Sequence, residues 1–286
     1  MKKILLIGRS GQIGSELFCT LSTLGSVIAP NSRELDICNL AKIRAVIQEI
    51  KPDVIVNAAA YTAVDQAEKN IEATYALNAE APKVLAEEAK KNKSLLVHYS
   101  TDYVFDGLLG TYQEDDIVNP QSVYGTSKQK GEEYIRNSGC NHLILRTSWV
   151  YGAYRNNFYL TMCRLAKEHK EIRVVNDQMG CPTWSFLIAL ATSQILAQEK
   201  AYAGSESGTY HLCSNGSASW YDFAKEIMRL AGKKMQIVPC TSAEFASPVK
   251  RPANSALAHH MLQATVGDDM RPWGDALEEY IKKLDK

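Results

Sequence analysis

Tyr124-Gly125-Thr126-Ser127-Lys128 places a phenol and an ammonium four residues apart. On a helix that spacing sets both side chains on one face. A phenol ordinarily loses its proton near pH 10, and a neighbouring cation favours the phenolate. Such a pair can therefore exchange a proton with an alcohol or ketone near neutrality. The spacing alone is weak evidence. With 14 tyrosines in the chain, about one chance occurrence is expected, and a second copy exists at Tyr221 and Lys225. Position separates the two. The first follows Ser100-Thr101 at the end of an apolar run, and ligands of α/β sheets sit beyond the carboxyl ends of strands. The second lies far downstream on what reads as an ordinary amphipathic helix.

A second constellation opens the chain. Gly8-Arg9-Ser10-Gly11-Gln12-Ile13-Gly14 follows the apolar run Ile4–Ile7 and leads into a helical pattern. A turn there can bring backbone N–H groups onto a pyrophosphate at a helix N-terminus, where side chains would block the approach. The spacing is G-x-x-G-x-x-G, so the strand before and the helix after carry the reading. The next strand should end near an adenosine ribose, at Ser32-Arg33-Glu34-Leu35-Asp36-Ile37. Arg33 offers a planar fork for a 2′-phosphate, which favours NADPH, while Glu34 keeps NADH open.

These groups need a scaffold. Ile4–Ile7, Val27–Ala29, Val54–Val56, Leu95–Tyr99 and Leu143–Leu145 read as strands, with helical patterns near 12–24, 39–50, 67–92 and 122–138. Strands apolar throughout and separated by helices imply a doubly wound, Rossmann-type parallel sheet covered on both faces, with a smaller C-terminal α/β domain. The expected division is 1–153 for the dinucleotide and 154–286 for the substrate, with later segments free to return to the first sheet. In the second half, a helix is expected over 184–198 and a strand over Thr209–Leu212. Ser217 and Ser219 are candidate caps of a helix running to Gly232, and a last helix should run from Asp275 to Leu284.

Composition removes other classes. Lys plus Arg and Asp plus Glu each number 32, so there is no electrostatic footprint for nucleic acid. No apolar stretch approaches a membrane span, and four apolar residues before Gly8 are too few for a signal-peptide core. Seven scattered cysteines without C-x-x-C or zinc spacing fit a reducing, cytoplasmic setting.

Together the motifs resemble the extended short-chain dehydrogenase/reductase family, and within it the reductases of 4-keto nucleotide sugars. The matching blocks are Gly8–Gly14, Asn57–Asp65, Ser100-Thr101-Asp102-Tyr103-Val104-Phe105-Asp106-Gly107, Tyr124–Lys128 and Arg146–Tyr151. Asn156–Phe158, Asn176–Gln178, Gly180 with Pro182-Thr183, and Arg251-Pro252 also fit. The resemblance implies NAD(P)H-dependent reduction of the C4 ketone of dTDP-6-deoxy-L-lyxo-4-hexulose to dTDP-L-rhamnose. It also implies that Gly8, Gly11, Gln12, Ile13, Gly14, Asp36, Ile37, Ala59, Ala60 and Tyr61 line the dinucleotide. Tyr124 would donate the proton, Lys128 would hold the nicotinamide ribose and depress the phenol pKa, and Thr101 would bond the same sugar oxygen. Asp102, Tyr103 and Trp149 would contact the sugar, with Arg251 a phosphate partner by charge.

Some members dimerise around Mg2+ held by glutamates; Glu16 falls at one such position, but Phe186 stands at another, so neither ion nor homodimer carries over with the motifs. His259-His260 lacks partners at metal spacing and reads as surface or core, and Glu114–Asp116 and Asp268-Asp269 as solvated loops. Two rival readings remain at this level. One is an epimerase of the same fold that retains NAD; the other is a non-catalytic subunit similar to the regulatory subunit of methionine adenosyltransferase.

Overall fold

The structure is a computed structural model that describes residues 1–204, 207–245, 247–267 and 270–284. The chain begins β1 (Lys2–Ile7), α1 (Gln12–Leu21), β2 (Gly25–Ile28), α2 (Leu40–Ile50), β3 (Val54–Asn57), α3 (Val64–Ala67), α4 (Ile71–Tyr75) and α5 (Ala81–Asn92). It continues through β4 (Leu95–Thr101), α6 (Val123–Ser138), β5 (His142–Thr147), β6 (Val150–Tyr151), α7 (Phe158–Glu168), β7 (Glu171–Val175), β8 (Met179–Gly180), β9 (Thr183–Trp184) and α8 (Ser185–Ala197). The remainder is α9 (Lys200–Ala203), β10 (Gly208–His211), β11 (Ala218–Ser219), α10 (Trp220–Leu230), β12 (Gln236–Cys240), α11 (Ser242–Phe245), α12 (His260–Val266) and α13 (Trp273–Leu284).

Six parallel strands form the central sheet in the order β10-β5-β4-β3-β1-β2. Alternate residues of each strand enter different cores. Ile4, Leu6, Val54, Val56 and Val97 join a cluster with Leu17, Leu21, Ile188 and Ile195 of α1 and α8. Leu5, Ile7, Ile55, Leu96 and Ile144 join a second cluster with Ile43, Val84, Leu85 and Ile135 of α2, α5 and α6. Both faces are thus dry, which is why these strands are near-continuous apolar runs, with Asn57 and His98 as buried polar exceptions. The expected doubly wound α/β sheet is what forms.

The second half does not stand apart. β10 pairs with β5 at the sheet edge, in register Thr209 to Ile144, and α8 packs along α1. The rest of that half is built on the parallel pair β7 and β12 with α7, α10 and α13. These two strands escaped the sequence reading because each is half exposed and β12 carries Pro239, so neither shows an unbroken apolar run.

Residues 67–92, expected as one helical stretch, are broken. α4 passes into α5 through a π turn at Ala76–Glu80. Pro82 at the start of α5 has no N–H to return to the Asn78 carbonyl, so the regular ladder cannot run through. Of the two candidate caps, Ser219 forms the capping box with Asp222, while Ser217 lies before it. Asp268-Asp269 lie outside the described residues. No described helix is long and apolar enough to cross a membrane.

Candidate active site

The glycine turn has the form expected of a phosphate cradle. Gly8 has φ +89°, and a Cβ there would meet Ala59 N at 2.6 Å; one on Gly14 would meet Gly8 O at 2.1 Å. The turn and the Ala58-Ala59 backbone are therefore in contact only because glycine is present. Gly11 precedes α1 with no side-chain cap, leaving the first N–H groups of the helix open to an anion. Loop 152–157 closes over this turn: Arg155 donates to Ser10 O at 2.7 Å and to Ser10 Oγ at 2.8 Å, and Asn157 donates to Gln12 Oε1 at 3.0 Å. At the tip after β2, Arg33 is exposed. Glu34 is turned back to accept from Asn31 N at 2.8 Å. Asp36 accepts from Cys38 N, and Ile37 is buried in the α2-side core.

Tyr61 is tied to α6 through the π turn. Asn78 accepts from Tyr61 N at 2.9 Å, and its amide donates to Tyr61 O at 3.1 Å and to Ser127 Oγ at 3.0 Å. That one buried amide holds Ala59-Ala60-Tyr61 in register with α6, whose Ser122 caps it by accepting from Gly125 N.

α6 lies tight on the turn after β4. A Cβ on Gly125 would come within 2.2 Å of Tyr103 O, and one on Gly131 within 2.2 Å of Asn78 O. The glycine inside the Y-x-x-x-K motif thus lets Tyr124 reach Thr101. Tyr124 is 8% exposed and Lys128 1%, and Tyr103 meets Tyr124 edge-on at 5.6 Å.

Burial decides the electrostatics. It pushes the Tyr124 phenol up to about 12, only partly offset by hydrogen bonding to Thr101. Lys128 contributes no lowering to that balance; its own ammonium is brought down to about 8 by burial, with Glu132 opposing the fall. Its Nζ instead donates to Tyr99 O at 2.6 Å and lies 3.2 Å from His98 Nε2. Tyr124 is consequently a protonated phenol, a group able to give a proton to an oxygen that gains charge.

Asp102 is equally dry. It accepts from Thr101 Oγ1 at 3.0 Å, Ser148 Oγ at 3.0 Å and Ser255 Oγ at 2.5 Å. Burial raises it to about 6 despite those three donors. Beneath the pair, Glu132 is held between Arg146 and Arg136. Burial would raise its pKa, but the Arg146 charge and hydrogen bonds, with Arg136 adding, bring it to about 2.

Trp149 adopts φ +46°, rare for a bulky residue. Its ring lies flat on Trp220 at 3.5 Å and against Gly180, where a Cβ would come within 2.3 Å. Arg251 pairs with Asp65 at 2.7 Å and also donates to Ser247, linking the second half to α3. Glu16 lies beside Ser185, while Phe186 packs on Trp184 and offers no donor atom to an ion. Among the described residues no cluster of three or more His, Cys, Asp or Glu could hold a metal. His259 and His260 line a cleft with Cys181 and Asn215. Asn57, His98, Asn78, Ser148 and Ser255 were given no role from sequence. A polar residue inside an otherwise apolar strand, as His98 is in β4, was the available signal.

The whole chain, residues 1–286, matches the family described as RmlD substrate binding domain. The chain belongs to that family. A dTDP-4-dehydrorhamnose reductase of Burkholderia thailandensis is 40% identical over 294 residues, covering 99% of both chains. Among solved structures, a dTDP-4-dehydrorhamnose reductase from Clostridium acetobutylicum superposes with a TM-score of 0.94 at 41% identity, covering 99% of this chain and 100% of that one. The Bacillus anthracis dTDP-4-dehydrorhamnose reductase, in complex with NADP, has a TM-score of 0.92 at 36% identity and covers 99% of each.

Proposed function

We propose that this chain reduces the C4 ketone of dTDP-6-deoxy-L-lyxo-4-hexulose to dTDP-L-rhamnose, with Tyr124 as proton donor. The observation that carries the reading is a buried, protonated phenol beside Thr101 at the carboxyl edge of a parallel sheet, in a chain similar over its full length to reductases of that name. Bound NAD(P)H supplies the hydride at C4. Tyr124 gives its proton to the C4 oxygen as negative charge develops there, and Thr101 orients that oxygen. Lys128, as ammonium, steadies the phenolate left behind and holds the nicotinamide ribose. The net change is one hydride and one proton added across the carbonyl.

The residues around this centre take the remaining roles. Gly8, Gly11, Gln12, Ile13 and Gly14 cradle the pyrophosphate, and Asp36, Ile37, Ala59, Ala60 and Tyr61 line the rest of the dinucleotide. Asp102, Tyr103 and Trp149 face the sugar, and Arg251 serves the substrate phosphates. NADPH is the favoured donor: Arg33 is exposed at the ribose end, Glu34 is engaged with Asn31, and the Bacillus anthracis relative is in complex with NADP. Residues 1–153 hold the dinucleotide and 154–286 mainly the sugar nucleotide, with α8 and β10 lent back to the first sheet.

The test is NADPH oxidation, followed by absorbance, with freshly generated dTDP-6-deoxy-L-lyxo-4-hexulose and product identified by mass and NMR. Formation of dTDP-L-rhamnose is expected. Tight NADPH binding without turnover would contradict the proposed substrate.

A further inference from the structure

One buried chain of hydrogen bonds runs from the dinucleotide side of the sheet to the catalytic lysine. Ala59 N–H donates to Asn57 Oδ1 at 3.2 Å. Asn57 Nδ2 lies 3.1 Å from His98 Nδ1. His98 Nε2 lies 3.2 Å from Lys128 Nζ, which donates to Tyr99 O at 2.6 Å. Asn57 and His98 are fully buried, so each of these polar atoms must be matched within the protein.

The direction of the chain follows from its first link. A backbone amide can only donate, so the Asn57 oxygen must face Ala59 and its NH2 must face His98. His98 Nδ1 then has to accept, which leaves the ring proton on Nε2 and aims it at Lys128. A group that receives this proton needs a lone pair, and an ammonium has none. With Lys128 charged, His98 would have to move its proton to Nδ1. That N–H would then oppose the Asn57 NH2, and turning the amide over would set the NH2 against Ala59 N–H. Each alternative leaves two buried donors facing each other, a conflict costing as much as an unmade hydrogen bond.

We propose that Asn57 and His98 are positioning residues whose one-way donor chain from the Ala59 amide disfavours the ammonium form of Lys128, so that the lysine gives up its charge at a lower pH than it would without them. This rests on the reading of Lys128 as the lysine of the proton-transfer pair. The depressed pKa of Lys128, about 8, fits the same picture, and burial together with the Lys128 charge keeps His98 neutral. The charged groups facing the pair are few. Glu132, on α6, opposes both shifts but is itself engaged with Arg146 of β5 and with Arg136; Tyr124 shares the face and is uncharged. The chain begins at an amide packed against Gly8, so the charge of the lysine is set by atoms that also border the glycine turn.

The first test needs no turnover. Two-bond 15N–1H spectra of the free protein at alkaline pH, where Lys128 is the amine, with the His98 signal assigned by its loss in His98→Gln, should show the proton on Nε2. A proton on Nδ1 would overturn the proposal. The second test is the pH profile of kcat/KM, which should fall as pH rises through about 8 when Lys128 loses its charge. In His98→Gln the new side-chain amide can turn its oxygen toward an ammonium. In Asn57→Asp the carboxylate can accept from both Ala59 N and His98 Nδ1, freeing Nε2 to accept. Both variants should move the alkaline limb upward by about one pH unit. Lowered activity with an unmoved limb would mean that these residues only support the fold, and would overturn the assignment. An inactive wild type carrying the Nε2 proton would overturn the reductase reading and support the donor chain.

Discussion

Helices α6 and α10 carry the same four-residue spacing of tyrosine and lysine, and they differ in nearly everything else. In α6 both side chains point onto β4, the tyrosine is capped by the Thr101 turn, and the lysine is 1% exposed. In α10 the buried face is Phe223, Ala224, Ile227 and Met228. Tyr221 and Lys225 lie off that face, the ammonium 5.1 Å from the ring centroid and Lys225 exposed. Spacing makes two side chains neighbours. Desolvation changes their chemistry, and it requires glycines at 125 and 131 for close approach and polar partners such as Tyr99 O and His98 at the far end. No pattern within α6 alone encodes those partners.

The same contrast applies to the acidic residues of the two helices and gives the largest expected effect. Glu132 is buried between Arg146 and Arg136, whereas Glu226 pairs with an exposed Arg229. Glu132→Gln leaves Arg146 buried with its charge unmatched and should cost about 3–5 kcal/mol in denaturant unfolding. Glu226→Gln should cost about 0.5 kcal/mol or less. The pH dependence has a definite sign. The carboxyl of Glu132 sits at about 2 in the fold against an ordinary 4.5, so its contribution is complete above 4.5 and is lost as pH falls toward 2. Acid unfolding of Glu132→Gln should lack that component; an identical acid profile would show that the pair does not stabilise the fold in this way.

Next in size is the lysine. Lys128→Met should lower turnover by about 10²-fold, while Lys225→Met should leave it within about twofold. Equal losses in the two variants would erase the distinction between the helices. The smallest effect concerns the cofactor end. Arg33→Ala should weaken NADPH by roughly tenfold, about 1.4 kcal/mol, and leave NADH nearly unchanged. Equal weakening of both would remove Arg33 from 2′-phosphate recognition.

Much of the first half was legible because its signals are local. Strands buried on both faces read as near-continuous apolar runs, the glycine turn sits between a strand and a helix, and Tyr124 follows the one strand that ends in Ser100-Thr101. Legibility failed where the determinant is a contact distant in sequence. β10 returns to the sheet beside β5, sixty-odd residues away, and Ser255 reaches Asp102 across 153 residues. The π turn needed both Pro82 and the packing of Gly131 on Asn78 to be known at once. His98 was hidden for another reason: it occupies a strand whose other residues define the apolar run.

The most direct test of the account is turnover of the 4-keto sugar nucleotide with NADPH by Tyr124→Phe and Tyr221→Phe side by side, with NADPH affinity measured in both. The account predicts a fall of about 10²-fold or more for Tyr124→Phe with affinity nearly intact, and no change for Tyr221→Phe. An unchanged rate for Tyr124→Phe would contradict its role as the proton donor and, with it, the claim that burial on β4 makes one of two identical motifs catalytic.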